Sequence, residues 1–171
     1  MTTGPRIGHG FDAHRLVEGR ALILGGVRLP FERGALGHSD ADVLAHAVAD
    51  AILGAAALGD LGSRFLEGDP RWKDADSMEL LASCAADVHR VGLHVVNVDA
   101  TIVVDRPKLA PFLERMRENV AARLSLSSEF VGVKAKKSEG MGYTGDGTGI
   151  ACYAVALLSG GQTPDERGRD A

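Results

Sequence analysis

Between residues 95 and 104 apolar and polar side chains alternate. Val96, Val98, Ala100, Ile102 and Val104 fall on one side, and Asn97, Asp99 and Thr101 on the other. That period of two predicts a strand with one buried face. From Ser39 or Asp40 to about Leu58 the spacing changes to three and four, through Val43, Ala47, Val48, Ala51, Ile52 and Ala55. This predicts a helix, with Asp42, His46 and Asp50 as a polar stripe beside its apolar face. A second helix is expected from Asp76 or Ser77, where Asp76 and Glu79 fit a capping box. Its core face is Met78, Leu81, Ala85, Val88 and Val91. A third covers about 109–124, with Pro111 in its first turn and Leu113, Met116, Val120 and Leu124 inward. Residues 20–31 read as a hairpin turning at Gly25-Gly26. Residues 5–14 look extended, with Gly8 and Gly10 permitting close approach of another backbone. Further strands are expected near 130–137 and 149–158, and 59–76 reads as loop.

The order is strand, hairpin, helix, helix, strand, helix, strand, strand. It predicts an α+β, ferredoxin-like sandwich: a small mixed β-sheet with helices on one face plus the hairpin. The other sheet face then needs a cover, and self-association supplies one. No linker divides the body, so residues 1–159 are expected to form one domain and 160–171 (GGQTPDERGRDA) a polar, disordered tail.

Composition narrows the function. A net charge of −4 gives no general attraction to nucleic acid or to an anionic membrane. An anionic substrate must therefore be held locally. Cys84 and Cys152 are too few for a disulfide framework and suit a reduced compartment. Neither a signal peptide nor a bilayer-spanning run is visible, so a cytoplasmic protein is expected.

Three polar clusters remain. In an extended Asp12-Ala13-His14 the carboxylate and imidazole point the same way, and a helical His46 can add a third donor for a metal. Alone, such a pair is more often a hydrogen-bonded surface feature. Gly37-His38-Ser39-Asp40-Ala41-Asp42 precedes the helix; an N-cap explains one or two of these residues and leaves His38 over. Lys134-Ala135-Lys136-Lys137-Ser138-Glu139-Gly140 leads into a glycine-rich turn able to offer amides to phosphate. Lysines at a strand end pointing into water are the plainer explanation. His9, His89 and His94 need no function, and Trp72 reads as a packing anchor.

The runs IGHGFDAHRL (7–16), GHSDADVLAHAVADAILGAAALGDLG (37–62), DRPKLAP (105–111) and KSEGMGYTGDGTGIACYAVALL (137–158) closely resemble the 2-C-methyl-D-erythritol 2,4-cyclodiphosphate synthase family. The likeness covers about residues 6–158. It implies Asp12, His14 and His46 as ligands of one zinc ion per subunit, with Asp12 and His14 also beside the substrate. His38 and Ser39 would touch the substrate, His38 stabilising the transition state. Asp60, Leu61, Gly62, Phe65, Leu66, Glu67, Gly68 and Asp69 would hold the methylerythritol phosphate. Val104, Asp105, Arg106, Pro107, Lys108, Leu109 and Ala110 would frame the cytidine. Lys136, Lys137, Ser138 and Glu139 would meet the diphosphate, Glu139 on a magnesium or manganese ion, with Tyr143 and Asp146 completing the contacts. A homotrimer with active sites between subunits is also implied. The chain departs from the family pattern in three places. Lys136, Lys137 and Ser138 replace a run of threonines, which puts Lys137 at the transition-state position. Phe65-Leu66-Glu67-Gly68-Asp69 replaces F-P-D-T-D. Asp146 and Thr148 stand where an arginine and an acid often line the trimer axis, so the resemblance does not carry axial binding of isoprenoid diphosphates over to this chain.

The implied reaction converts 4-diphosphocytidyl-2-C-methyl-D-erythritol 2-phosphate to the cyclic diphosphate with release of CMP. The substrate's own 2-phosphate, with a second pKa of about 6, is the nucleophile. Asp42 or Asp50, each one turn from His46, is a candidate to orient that imidazole, against the plainer alternative of a helix-surface ion pair. The competing functions are a zinc-dependent phosphoester hydrolase and a non-catalytic trimeric binder of metal or isoprenoid diphosphate.

Overall fold

The computed structural model describes residues 4–160. Five strands form a mixed sheet in the order β4-β1-β7-β5-β6, made of β1 (Arg6–Glu18), β4 (Arg33–Ala35), β5 (Leu93–Val103), β6 (Val131–Lys136) and β7 (Gly149–Gly160). Only β5 and β6 run parallel; the other neighbours are antiparallel. β2 (Leu22–Leu24) and β3 (Val27–Leu29) make the separate hairpin, and Gly25 and Gly26, at φ 56° and 69°, supply its turn.

Three helices cover one sheet face. α1 (Val43–Ala55) crosses β1 and β7, while α3 (Ser77–Arg90) and α4 (Leu113–Arg123) lie over β5 and β6. α1 sits unusually low on the sheet. A Cβ on Gly8 or Gly10 would fall 1.9 Å from the Ala51 or Ala47 carbonyl oxygen, so both glycines are required by backbone approach. Leu44, Ile52, Leu81, Ile102 and Leu158 are fully buried in the shared core, each contributing about 2 kcal/mol by removal from water.

Several details differ from the sequence expectations. α1 starts at Val43, because Ala41 has a positive φ of 58° and reverses the chain after Ser39 and Asp40. Asp42 is the N-cap, accepting from the Leu44 and Ala45 amides and from Gly26 in the hairpin. Asp76 caps α3 through Met78, but Glu79 pairs with Arg123 instead of closing a box. Val91 is half exposed beyond the end of α3. A bulge between Val95 and Asn97 turns Val95 into the core and leaves Val96 half-buried. Gly160 closes β7, and residues 161–171 of the expected tail lie outside the described residues. The 59–76 loop contains α2 (Leu61–Arg64) and a 3-10 turn at Pro70–Trp72, while α5 (Gly142–Gly145) sits inside the glycine-rich segment.

Candidate metal centre and its cleft

Asp12 and His14, two apart on β1, both reach the imidazole of His46 on α1. Asp12 Oδ2 lies 3.0 Å from His14 Nε2 and 2.8 Å from His46 Nδ1, and the two ring nitrogens are 3.3 Å apart. Three donor atoms thus converge on one point, and this is the one such His/Cys/Asp/Glu group among the described residues. Tetrahedral zinc with ligand bonds near 2.0–2.1 Å needs donors about 3.3 Å apart, so the set fits zinc after small adjustments. The electrostatics agree. Burial pushes the Asp12 carboxyl up, but hydrogen bonds and attraction from His14 and His46 outweigh it and hold it well below its ordinary value. Burial pushes His46 down, yet the Asp12 hydrogen bond, with the charges of Asp12, Asp42 and Asp40, keeps it raised.

The triad opens into a cleft of about 430 Å³ lined also by His38, Ser39, Asp50, Leu61, Gly62, Phe65 and Glu67. This volume is within the range of small-ligand sites. Its rim is the 59–76 segment, braced internally. Asp60 caps α2 by accepting from Ser63, Asp69 caps the 3-10 turn and pairs with Arg71, and Phe65 meets Trp72 edge-on at 4.9 Å. Trp72 is thus the packing anchor expected, and it lines the cleft as well. His38 Nε2 donates to the Asp69 carbonyl at 2.9 Å, closing this rim onto the segment before α1. Arg64 reaches back to the nearly buried Asp87 of α3, which Arg90 also pairs.

A second polar group lies elsewhere. Asp105, Arg106, Lys137 and Asp146 share a depression of about 520 Å³ with Arg33. Asp105 ties the 104–110 segment to the turn after β6 by accepting from the Ser138 and Gly140 amides at 2.6 and 2.9 Å. Those two bonds hold its carboxyl below the ordinary range. The Gly140 amide is therefore taken and is not among those the turn can offer to phosphate. Asp146 accepts from the Thr148 amide and hydroxyl. Val104 and Leu109 are buried, whereas Arg106, Lys108, Lys136, Lys137 and Glu139 are exposed. Tyr143 borders a third hollow with Ala13, His14, Arg15, Thr148 and Gly149. Ala13, Ala151, Val103 and Lys136 are in register across β1, β7, β5 and β6. Three strand spacings separate the ends of that row by about 14 Å, so one chain does not bring Lys136–Glu139 to its own triad.

Residues 5–159 match the YgbB family. The chain belongs to that family. It is 56% identical over 153 residues to the 2-C-methyl-D-erythritol 2,4-cyclodiphosphate synthase of Moorella thermoacetica, covering 90% of this chain and 94% of that one. The solved bifunctional enzyme of Campylobacter jejuni superposes with a TM-score of 0.90 at 38% identity; the match covers 95% of this chain but only 44% of that longer one. A solved cyclodiphosphate synthase in a CDP-bound form gives a TM-score of 0.83 at 37% identity, covering 90% of this chain and all of that one, 100%.

Within this member of the YgbB family, the expected orienting carboxylates are elsewhere engaged. Asp42 serves the helix start and the hairpin, and Asp50 accepts from the Leu61 amide at 2.8 Å. What faces the far side of the His46 ring is Ser77, with Nε2 2.8 Å from its Oγ. Ser39 turns its hydroxyl the same way, 3.2 Å from Nε2, and is almost fully buried. Ser77 was visible in the sequence only as a helix-start residue. Leu36 and Leu80, two apolar walls of the cleft, carried no signal at all.

Proposed function

We propose that Asp12, His14 and His46 hold a zinc ion and that this centre serves the cyclisation of 4-diphosphocytidyl-2-C-methyl-D-erythritol 2-phosphate with release of CMP. The observation that carries the reading is the convergence of the three donors at a substrate-sized cleft, in a chain 56% identical to a synthase of that name. In the reaction a 2-phosphate oxygen forms a bond to the β-phosphorus as the bond to the CMP oxygen breaks. Neither water nor a redox partner is consumed. Zinc, when bound, supplies a Lewis acid that neutralises phosphate charge.

The chain's own residues position and shield. Leu61, Gly62, Phe65 and Glu67 form the wall against which the methylerythritol phosphate rests, and His38 lines the same cleft, where it would meet phosphate by exchanging its bond to the Asp69 carbonyl. Holding two anionic groups together in this way is worth up to about 7–11 kcal/mol in well-oriented intramolecular reactions. Lys136, Lys137 and Glu139, with the cytidine frame at 104–110, come from a neighbouring copy, and Glu139 takes a magnesium or manganese ion with the diphosphate. Two observations support that sharing. The separation across the sheet is too large for one chain, and the sheet face away from the helices leaves Ile7, Phe11, Tyr153 and Val155 exposed at 43–75%. Three copies burying these faces together make the homotrimer. Residues 1–159 act as one catalytic domain. A cytoplasmic site of action is consistent with two buried free thiols, Cys84 and Cys152; no helix among the described residues is long and apolar enough to cross a membrane.

Mass analysis of the product tests the reading. Cyclic diphosphate with stoichiometric CMP is expected. A linear phosphate would mean hydrolysis, and intact substrate would mean a binder; either result overturns the proposal.

A further inference from the structure

We infer that Ser77, itself held by Asp40, is the positioning residue that fixes the His46 ring so that Nδ1 presents its lone pair to the metal. This role presupposes the zinc reading above, and hydrogen-bond direction supports it. Both Asp40 oxygens act as acceptors toward Ser77. Asp40 accepts the Ser77 hydroxyl proton through Oδ1 and the Ser77 amide through Oδ2 at 3.2 Å. With its proton committed to Asp40, the Ser77 oxygen faces His46 Nε2 as an acceptor at 2.8 Å. Nε2 then donates to Ser77, and the proton that Nδ1 shares with Asp12 is the one the ring would give up to take a metal. Nδ1 is the atom that meets Asp12 and His14.

The fold makes this relay rigid. Ser77 is 1% exposed and opens α3, while Asp40 sits in the reversal before α1, with its amide donating to the Ala75 carbonyl. The relay therefore joins the two helices at the depth of the metal centre. Ser39 cannot replace Ser77 on equal terms. Its oxygen already accepts the Ala41 amide and lies farther from the ring, at 3.2 Å. Partners behind a ligand histidine set its orientation and basicity, and losing one costs about 10–100-fold in metal affinity.

The test is zinc affinity by chelator competition, beside thermal unfolding of the metal-free protein. The Ser77→Ala variant should bind zinc about 10–100-fold more weakly, with the metal-free melting temperature lowered by only the few degrees that losing one buried hydroxyl partner costs. Asp40→Asn keeps an acceptor for the hydroxyl but loses the charge and should fall between. Zinc affinity of Ser77→Ala within about twofold of the parent overturns the inference. So does a weakening matched by general destabilisation of the metal-free protein. If Ser77→Ala does not fold, Asp40→Asn decides by the same two readings. Should the parent itself bind no zinc, it is the zinc reading that has failed.

Discussion

Replacing Gly10 by alanine tests how tightly the fold and the metal centre are coupled. Gly10 lies two residues before Asp12 on β1, and the atom its new Cβ would strike is the Ala47 carbonyl oxygen, next to His46 on α1, at 1.9 Å. The next nearest atoms are also backbone, the Ala51 nitrogen at 2.7 Å and the Ala47 carbonyl carbon at 2.9 Å, so no side chain can swing aside. Restoring an ordinary contact requires α1 and β1 to part by about 1.5 Å, in an interior packed too densely to absorb it locally. Donors now 2.8–3.3 Å apart would be carried beyond the spacing that one zinc ion accepts. Overpacking of this kind costs about 1–3 kcal/mol and sometimes more. At the upper end it lowers the melting temperature by about 6–12 °C for a chain of this size. If the metal-free protein relieves the strain by opening, binding zinc must restore it, and about 3 kcal/mol weakens zinc binding about 100-fold. The assay is a melting curve of the metal-free protein with zinc affinity by chelator competition. Gly54→Ala is the control, because a Cβ there meets only the His9 carbonyl oxygen at 3.9 Å. It should gain up to about 1 kcal/mol from helix propensity and leave zinc binding alone. A Gly10→Ala protein with parental stability and zinc affinity would refute the coupling.

Two other outcomes follow from the same geometry. Burial pushes the Asp42 carboxyl from 3.8 to about 6 against its backbone hydrogen bonds. The folded state therefore holds this proton more tightly, and the stability it contributes is full below pH 4 and lost as pH rises through 6, a change of about 3 kcal/mol. Denaturant unfolding across pH 4–7 should show Asp42→Asn gaining on the parent by about that amount as pH rises; a constant difference would contradict it. Lys137→Thr removes an exposed cation from the group shared with Arg33 and Arg106. It should lower kcat/KM at least about tenfold, the worth of one charge-assisted contact, without changing zinc content; unchanged kinetics would mean that Lys137 does not meet phosphate.

Two simple periods made the triad a candidate in the sequence, and the family resemblance turned the candidate into a ligand set. A strand puts Asp12 and His14 on one side, and the apolar stripe of α1 fixes where His46 must lie relative to the sheet. The same reasoning located Gly8 and Gly10 as points of backbone contact. It failed where tertiary structure decides. The positive φ at Ala41 delays the helix by a turn and hands the cap to Asp42, which removes that carboxylate from His46. Ser77 reaches the ring only because α3 docks beside the reversal before α1, and no spacing along the chain encodes that meeting. The gap between the triad and Lys136–Glu139 depends on β7 and β5 inserting between β1 and β6, a strand order that local patterns do not express.

The most direct test of the central claim is metal analysis of the purified chain beside Asp12→Ala, His14→Ala and His46→Ala. Zinc at one ion per chain in the parent and near none in each variant, with folding retained, is the result the shared centre predicts. Variants that keep the parental zinc content would show that these three side chains do not hold the ion.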